Sequence, residues 1–314
     1  MSPATKLFAG VELGGTKCVC ILGTGPDDVR AVERLPTGER EESLRQIEAV
    51  LDRWRAQHGP ARALGIASFG PVDLRANSPT YGFITSTTKP GWRNTDIAQR
   101  LGRRMGGPVG FDTDVNGAAL AEGRWGAAVG LDDFAYVTVG TGIGAGLIVR
   151  GKSIFGMNHT ELGHIRVARK PGDKFPGVCP FHGDCIEGLA SGPAIEARAG
   201  MPASQLPPDH PTWEFVAHGL AQLVHTMVLT TAPSRIFLGG GVMSAQSHLF
   251  ERIQQELKRS LNRYVEAPEL EQGIGQFVVP PGLGNMAGPL GALALAADAE
   301  NASIVPPLVT AASR

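Results

Sequence analysis

The stretch LFAGVELGGTKCVCIL, residues 7–22, decides the fold. Two apolar runs flank the pair Gly14-Gly15, and paired glycines between apolar runs are typical of a β-hairpin. The same pattern returns in FAYVTVGTGIGAGLIV, residues 134–149. The two copies lie too far apart for a solenoid repeat, so they indicate an internal duplication at the scale of a domain.

Strand-like and helix-like patterns alternate through the rest of the chain. In residues 41–57, for example, Leu44, Ile47 and Leu51 share one face, which is typical of an amphipathic helix. We predict helices over 41–57, 95–105, 115–125, 191–199, 213–231, 249–264 and 286–297, and strands over 63–69, 108–112, 235–238 and 277–279. A loop with extended pieces is predicted over 77–92, and a connection rich in helix-breaking residues over 202–211. With the two hairpins, this alternation predicts an α/β protein with mixed sheets.

The composition favours a small-molecule partner. The 314 residues include 29 basic and 30 acidic side chains, and a net charge of −1 leaves no electrostatic footprint for nucleic acid or an anionic membrane. The N-terminal residues lack an apolar signal core, and no apolar run approaches the roughly 18 residues of a membrane span. We therefore expect a cytoplasmic protein with no nucleic-acid or membrane partner, in which Cys18 and Cys20 are reduced core residues.

A metal centre is predicted from CPFHGDCIE, residues 179–187, together with His164. Cys179, His182 and Cys185 are separated by two residues each, a spacing that allows a tight loop to wrap a tetrahedral ion. The alternatives are four unconnected side chains or a disulfide between the cysteines. A disulfide leaves both histidines without a role, and a loop rich in Gly and Pro has no core in which to bury two thiols. Four protein ligands make a closed site, so we predict a structural zinc.

Three glycine runs follow apolar segments: Gly14-Gly15-Thr16-Lys17, Gly140-Thr141-Gly142 and Gly239-Gly240-Gly241. Successive backbone N–H groups in such turns bind phosphate, provided that no Cβ holds the anion away. Taken singly, each of the two hairpin runs is more typical of an ordinary turn. The three together favour a nucleotide bound between two related halves.

Two carboxylates suit roles in phosphoryl transfer. Asp114 follows the predicted strand 108–112 and precedes a predicted helix, where it suits either an N-cap or a general base that accepts the proton of an attacking sugar hydroxyl. The spacing leaves both roles open. Glu12, just before the first glycine turn, suits Mg²⁺ near phosphate oxygens, directly or through water, and a salt-bridged or solvated side chain is the alternative.

These segments together resemble the ROK family of sugar kinases, and within it the zinc-containing bacterial fructokinase branch. The resemblance covers nearly the whole chain and rests on VELGGTK (11–17), SFGPVD (68–73), SPTYG (78–82), KPGW (89–92), CPFHGDCIE with GLASGPA (179–194) and GPLGA (288–292). It implies an actin-like ATPase, or ribonuclease H-like, fold in which two related α/β domains flank a cleft. The expected small domain spans 1–117 and is joined by the C-terminal helix 285–299, and the large domain spans 118–284.

The resemblance also implies an activity and its residues. ATP, with Mg²⁺, is expected to phosphorylate D-fructose at its 6-hydroxyl, with Asp114 as the catalytic base. Residues expected to bind the substrate are Asn116, Glu161, His164, Glu187, Gly70 and Pro71, and those expected to bind ATP are the three glycine runs. His164 is thus expected to contact both zinc and sugar. The family leads us to expect a homodimer.

Two departures from family patterns point away from glucokinase. Thr113 stands where many ROK glucokinases have Asn, and His182 stands in a zinc loop that is commonly cysteine-rich. A broader hexose kinase acting on mannose or glucose is the alternative enzyme. A sugar-sensing ROK protein that does not phosphorylate is the alternative of another class, although the chain begins at the first strand, without a DNA-binding helix-turn-helix.

Overall fold

A computed structural model describes residues 6–304, and both predicted hairpins form in it. Residues 1–5, with which the predicted first domain begins, lie outside the described residues. The strands within the described part are β1 (Phe8–Leu13), β2 (Lys17–Gly25), β3 (Asp28–Pro36), β4 (Leu64–Ser68), β5 (Phe83–Ile84), β6 (Thr95–Asp96), β7 (Val109–Thr113), β8 (Phe134–Val139), β9 (Ile143–Val149), β10 (Lys152–Ser153), β11 (Arg235–Gly239) and β12 (Val278–Val279).

Helices occupy most of the predicted positions. They are α1 (Arg40–His58), α2 (Ala98–Met105), α3 (Asp114–Trp125), α4 (Ile186–Ala190), α5 (Gly192–Ala199), α6 (Thr212–Thr231), α7 (Gly240–Ala245), α8 (Leu249–Leu261), α9 (Pro268–Glu271), α10 (Ile274–Phe277) and α11 (Ala287–Ile304), with 3-10 turns at Leu162–His164, Ala203–Gln205 and Gly284–Met286. Among residues 6–304, none of these helices combines the length and the apolar character needed to cross a bilayer.

Some predicted boundaries are wrong. The helix predicted to begin at Thr95 begins at Ala98, because Thr95 pairs instead with Ile84 in a two-stranded sheet. The strand predicted to begin at Phe277 begins one residue later, since Phe277 ends α10. The strands β3 and β10 and the short helices α4, α7, α9 and α10 were not predicted.

The two larger sheets repeat one strand order. The first is ordered β3-β2-β1-β4-β7, and the second β10-β9-β8-β11-β12. In each, the first three strands form an antiparallel meander and the later strands are parallel to the central one. Two sheets with the same order and directions confirm the predicted internal duplication, and each belongs to its own compact unit. One unit contains the described residues up to Asp114 and from Pro289 onward, and the other is Val115–Gly288.

A row of glycines lets α11 lie directly on the first sheet. Gly10, Gly65 and Gly110 stand side by side on β1, β4 and β7. A Cβ at Gly65 would lie 1.8 Å from the carbonyl oxygen of Ala292, and one at Gly110 would lie 2.2 Å from that of Leu295. The helix therefore contacts the strand backbones themselves.

We expect Gly65→Ala to lower the free energy of unfolding by about 3 kcal/mol, because the helix backbone must move away from the sheet. Denaturant unfolding measures the change. Gly38→Ala in the same unit is the matched control, since a Cβ there meets no atom within 4 Å. Equal stability of the two variants would show that α11 does not need this close approach.

Candidate functional site

The four predicted metal ligands come together in the second unit. The ligand atoms of His164, Cys179, His182 and Cys185 all lie within 4.8 Å of one another. His164 Nδ1 is 3.7 Å from the Cys179 sulfur and 3.6 Å from the Cys185 sulfur, and His182 Nδ1 is 3.7 Å from the Cys179 sulfur. Both cysteines are free, so the disulfide alternative is wrong.

These distances fit zinc. Zinc–sulfur and zinc–nitrogen bonds of about 2.3 Å and 2.0–2.1 Å at a tetrahedral angle place sulfur and nitrogen roughly 3.6 Å apart. Two thiols and two imidazoles are also the donor set that zinc prefers. Because the protein supplies all four ligands, an ion held here would stabilise the loop and would not activate water.

The backbone of the loop explains how ligands from two segments meet. Cys179 and Gly183 exchange N–H···O bonds of 3.2 and 2.9 Å, which close a tight turn around His182. Gly188 packs against that turn so closely that a Cβ there would lie 2.0 Å from the Gly183 oxygen. The Ile186 N–H then donates to the Ile165 carbonyl at 3.0 Å, which brings the segment carrying His164 alongside.

Glu187 lies between the Cys/His cluster and the second glycine turn. It is the second residue of α4, which begins directly after Cys185. Its Oε1 is 4.0 Å from His164 Nε2, and its Oε2 accepts a 3.0 Å hydrogen bond from the Ile143 N–H. Glu161 is exposed, and its Oε1 is 3.5 Å from Nδ1 of the buried His159.

The second glycine turn has a packing requirement that the sequence did not reveal. The Gly140 N–H donates to the Gly142 carbonyl at 2.9 Å. A Cβ at Gly142 would lie 2.6 Å from the Glu187 carboxylate, so Glu187 is sufficient to explain why a glycine stands there. The neighbouring Thr141 is exposed.

In the third glycine run, the local structure favours glycine at two positions and leaves space for a side chain at the other. Gly240 has a φ of +87°, which L side chains rarely adopt, and it begins α7. A Cβ at Gly239 would meet the Tyr136 hydroxyl at 2.7 Å. Gly241 is exposed and open, with nothing within 4 Å of an added Cβ.

The first glycine turn leaves open space beside Gly15. The Gly14 N–H donates to the Lys17 carbonyl at 3.0 Å and closes the turn. A Cβ at Gly15 would meet nothing within 4 Å, and the residue does not have a positive φ. Neither packing nor backbone conformation requires a glycine at this position. Two residues that the sequence analysis did not single out, Thr37 and Lys89, contact this turn through its carbonyls.

Parallel pairing brings three predicted segments of the first unit to one sheet edge. Leu13, Ser68 and Thr113 are register partners at the ends of β1, β4 and β7. The first strand leads into the glycine turn. The second leads to the Gly70-Pro71 peptide, where the Pro71 carbonyl accepts hydrogen bonds from the Thr85 N–H and hydroxyl. The third leads to Asp114, which is the first residue of α3.

Asp114 lies close to another acidic side chain, that of Glu12. Burial, followed by the charge of Asp114, raises the pKa of Glu12 to about 7, while Lys17 and Arg34 act in the opposite direction. Asp112 accepts a 2.7 Å hydrogen bond from the Thr113 N–H, and Asn116, two residues after Asp114 in α3, is buried.

Comparisons with known proteins agree with this architecture. The profile of the ROK family matches residues 8–299. A protein of Zymomonas mobilis named fructokinase is 42% identical over 94% of this chain and 98% of its own, and a fructokinase of Pediococcus pentosaceus is 40% identical over 92% and 97%. The crystal structure of a ROK hexokinase from Thermus thermophilus is 27% identical, with a TM-score of 0.73 over 93% of this chain and 98% of its own.

We predict about one zinc ion per chain, and its loss on substitution of Cys179 or Cys185 by Ser, because a neutral hydroxyl is a poor zinc ligand. Elemental analysis of the purified protein measures the content. Cys18→Ser is the matched control, since Cys18 is also buried but lies outside the cluster. Zinc retained by the loop variants, or absent from the native chain, would contradict the assignment.

Replacing Glu12 with Gln is expected to stabilise the protein at about pH 8 and to have a much smaller effect at about pH 5. The unfolded chain releases the Glu12 proton near the ordinary pKa of 4.5, whereas the folded chain holds it to about 7. Stability is therefore lost as pH rises through that interval, by up to about 3 kcal/mol, and Gln removes this loss. Denaturant unfolding at both pH values measures it, and the exposed Glu266→Gln is expected to show no such pH dependence.

Proposed function

Since the chain belongs to the ROK family, we propose that it transfers the γ-phosphoryl group of ATP to D-fructose and releases fructose 6-phosphate. The observation that carries this proposal is the similarity to two fructokinases over more than nine-tenths of both chains. The chain also has the actin-like ATPase fold of ROK sugar kinases.

Asp114 is the proposed general base. The attacking sugar hydroxyl must lose a proton as its oxygen bonds to phosphorus, and a carboxylate within hydrogen-bond reach accepts it. Asp114 is half-buried at the junction of β7 and α3, which supports the proposal because a strand end held in a parallel sheet presents a side chain rigidly.

Backbone N–H groups of the glycine runs are the proposed phosphate ligands. The open positions at Gly15 and Gly241 support this role, because phosphate oxygens must approach the backbone closely. Mg²⁺ bound with ATP neutralises charge on the phosphate oxygens. We propose that Glu12 holds this ion directly or through water. The closeness of the Glu12 carboxylate to Asp114 supports that role.

The proposed sugar contacts are Gly70, Pro71, Asn116, Glu161, His164 and Glu187. His164 suits two tasks at once, because its Nδ1 faces the two thiols and its Nε2 lies toward Glu187. A structural zinc would then hold the imidazole that contacts the sugar. We further propose a homodimer, on family membership alone.

With MgATP and a panel of fructose, mannose, glucose and N-acetylmannosamine, we expect the highest kcat/KM for fructose. Asp114→Asn is expected to lower kcat at least 1,000-fold, on the order of what loss of an essential base costs, while fructose still binds. A coupled assay of ADP release and calorimetry with fructose measure both.

The matched control is Asp132→Asn, an exposed aspartate outside the proposed site, which is expected to keep wild-type kinetics. Comparable turnover of several hexoses would instead identify a broader hexose kinase. Sugar binding without ADP release would identify a sensor. A near-normal rate for Asp114→Asn would rule out its role as the base.

A further inference from the structure

The KPGW segment, residues 89–92, contacts the first glycine turn through a single side chain. The Lys89 ammonium donates to the Gly15 carbonyl at 2.7 Å and to the Thr37 carbonyl at 2.8 Å. Both distances are those of charge-assisted hydrogen bonds, and Lys89 is half-buried. This side chain thus joins the turn to the segment that follows β3.

Thr37 contacts the same turn with its remaining polar groups. Its N–H donates to the Thr16 carbonyl at 3.0 Å, and its hydroxyl donates to the Gly14 carbonyl at 2.8 Å. Thr37 itself is buried. Three consecutive carbonyls of the turn, those of residues 14, 15 and 16, therefore accept hydrogen bonds from Thr37 and Lys89.

Because each peptide group is planar, fixing these carbonyls also fixes the directions of the N–H groups bonded to them. In a trans peptide the C=O of one residue and the N–H of the next point in opposite directions. Fixing the three carbonyls consequently fixes the N–H directions of Gly15, Thr16 and Lys17, which point away from Thr37 and Lys89. Successive N–H groups pointing one way form an anion-binding concavity.

We propose that Lys89, acting with Thr37, is a positioning residue that holds the first glycine turn in its phosphate-binding geometry. This inference rests on the proposed ATP-dependent function. An ammonium suits the task because it offers three donors, of which the two carbonyls take two. Its positive charge next to the turn also favours a negatively charged ligand there.

The segment that carries Lys89 is anchored in the core. Trp92 is fully buried, its indole N–H donates to the Gly38 carbonyl at 3.1 Å, and its ring packs edge-on against Phe69. The Trp92 N–H donates to the Lys89 carbonyl at 3.3 Å. Because the lysine is pre-positioned, little conformational entropy is lost when the turn binds a ligand.

The deciding variant is Lys89→Met, which keeps the length of the side chain and removes its donors and charge. We expect KM for MgATP and the dissociation constant of MgADP to rise about 10-fold or more, as for loss of hydrogen bonds to a charged group. The dissociation constant of fructose is expected to change less than about twofold, because the turn is not among the proposed sugar contacts. Steady-state kinetics and calorimetry measure these quantities.

The matched control is Lys152→Met, the same substitution at an exposed lysine, which is expected to leave all three constants unchanged. If Lys89 had a purely structural role, Lys89→Met would lower the unfolding midpoint and the active fraction of the protein without changing KM for MgATP. Unchanged MgATP and MgADP constants in folded Lys89→Met would therefore overturn the proposal. Failure of the wild-type chain to release ADP with any hexose would instead reject the proposed function.

Thr37 provides an independent test if Lys89→Met does not fold. Thr37→Val removes the hydroxyl bond to Gly14 at constant shape, and Thr37→Ser keeps it. We expect Thr37→Val to weaken MgADP binding several-fold and Thr37→Ser to restore it, as loss of one hydrogen bond predicts. Equal MgADP affinity of these two variants would also overturn the proposal.

Discussion

Parallel pairing among β1, β4 and β7 is the constraint on which the candidate site of the first unit depends. Because register partners end at one edge, segments separated by many residues in the chain emerge side by side: the glycine turn, Gly70-Pro71 and Asp114. The row of glycines allows α11 to cover this sheet with the helix backbone in contact with the strand backbones. A shift of one strand would therefore move a functional segment as well as a packing surface.

Local patterns were sufficient for the hairpins, the long amphipathic helices and the fold class. They failed where contacts with distant parts of the chain determine the local structure. The strand β3 lies at a sheet edge and carries charged residues at four of its nine positions, so it lacks the apolar run by which β1 and β8 were found. The first turn predicted for α2 is lost because Thr95 pairs with Ile84, a contact that no helical periodicity reports.

The candidate site likewise contains features that the sequence predicted and features that it did not. Spacing predicted the Cys/His cluster because three of its members lie in one short loop, and family resemblance supplied the proposed roles of Asp114 and Glu187. The reason for Gly142 required the position of Glu187, which is remote in sequence. Lys89 was visible only as part of a motif, since its partners Gly15 and Thr37 lie 74 and 52 residues away.

The two larger sheets repeat one strand order, yet their hairpin turns are held differently. In the first copy a cation, Lys89, holds the turn by its carbonyls. In the second an anion, Glu187, holds the turn by an N–H group. The two turns are thus held by side chains of opposite charge, which sets the two hairpins apart although the strand order around them is the same.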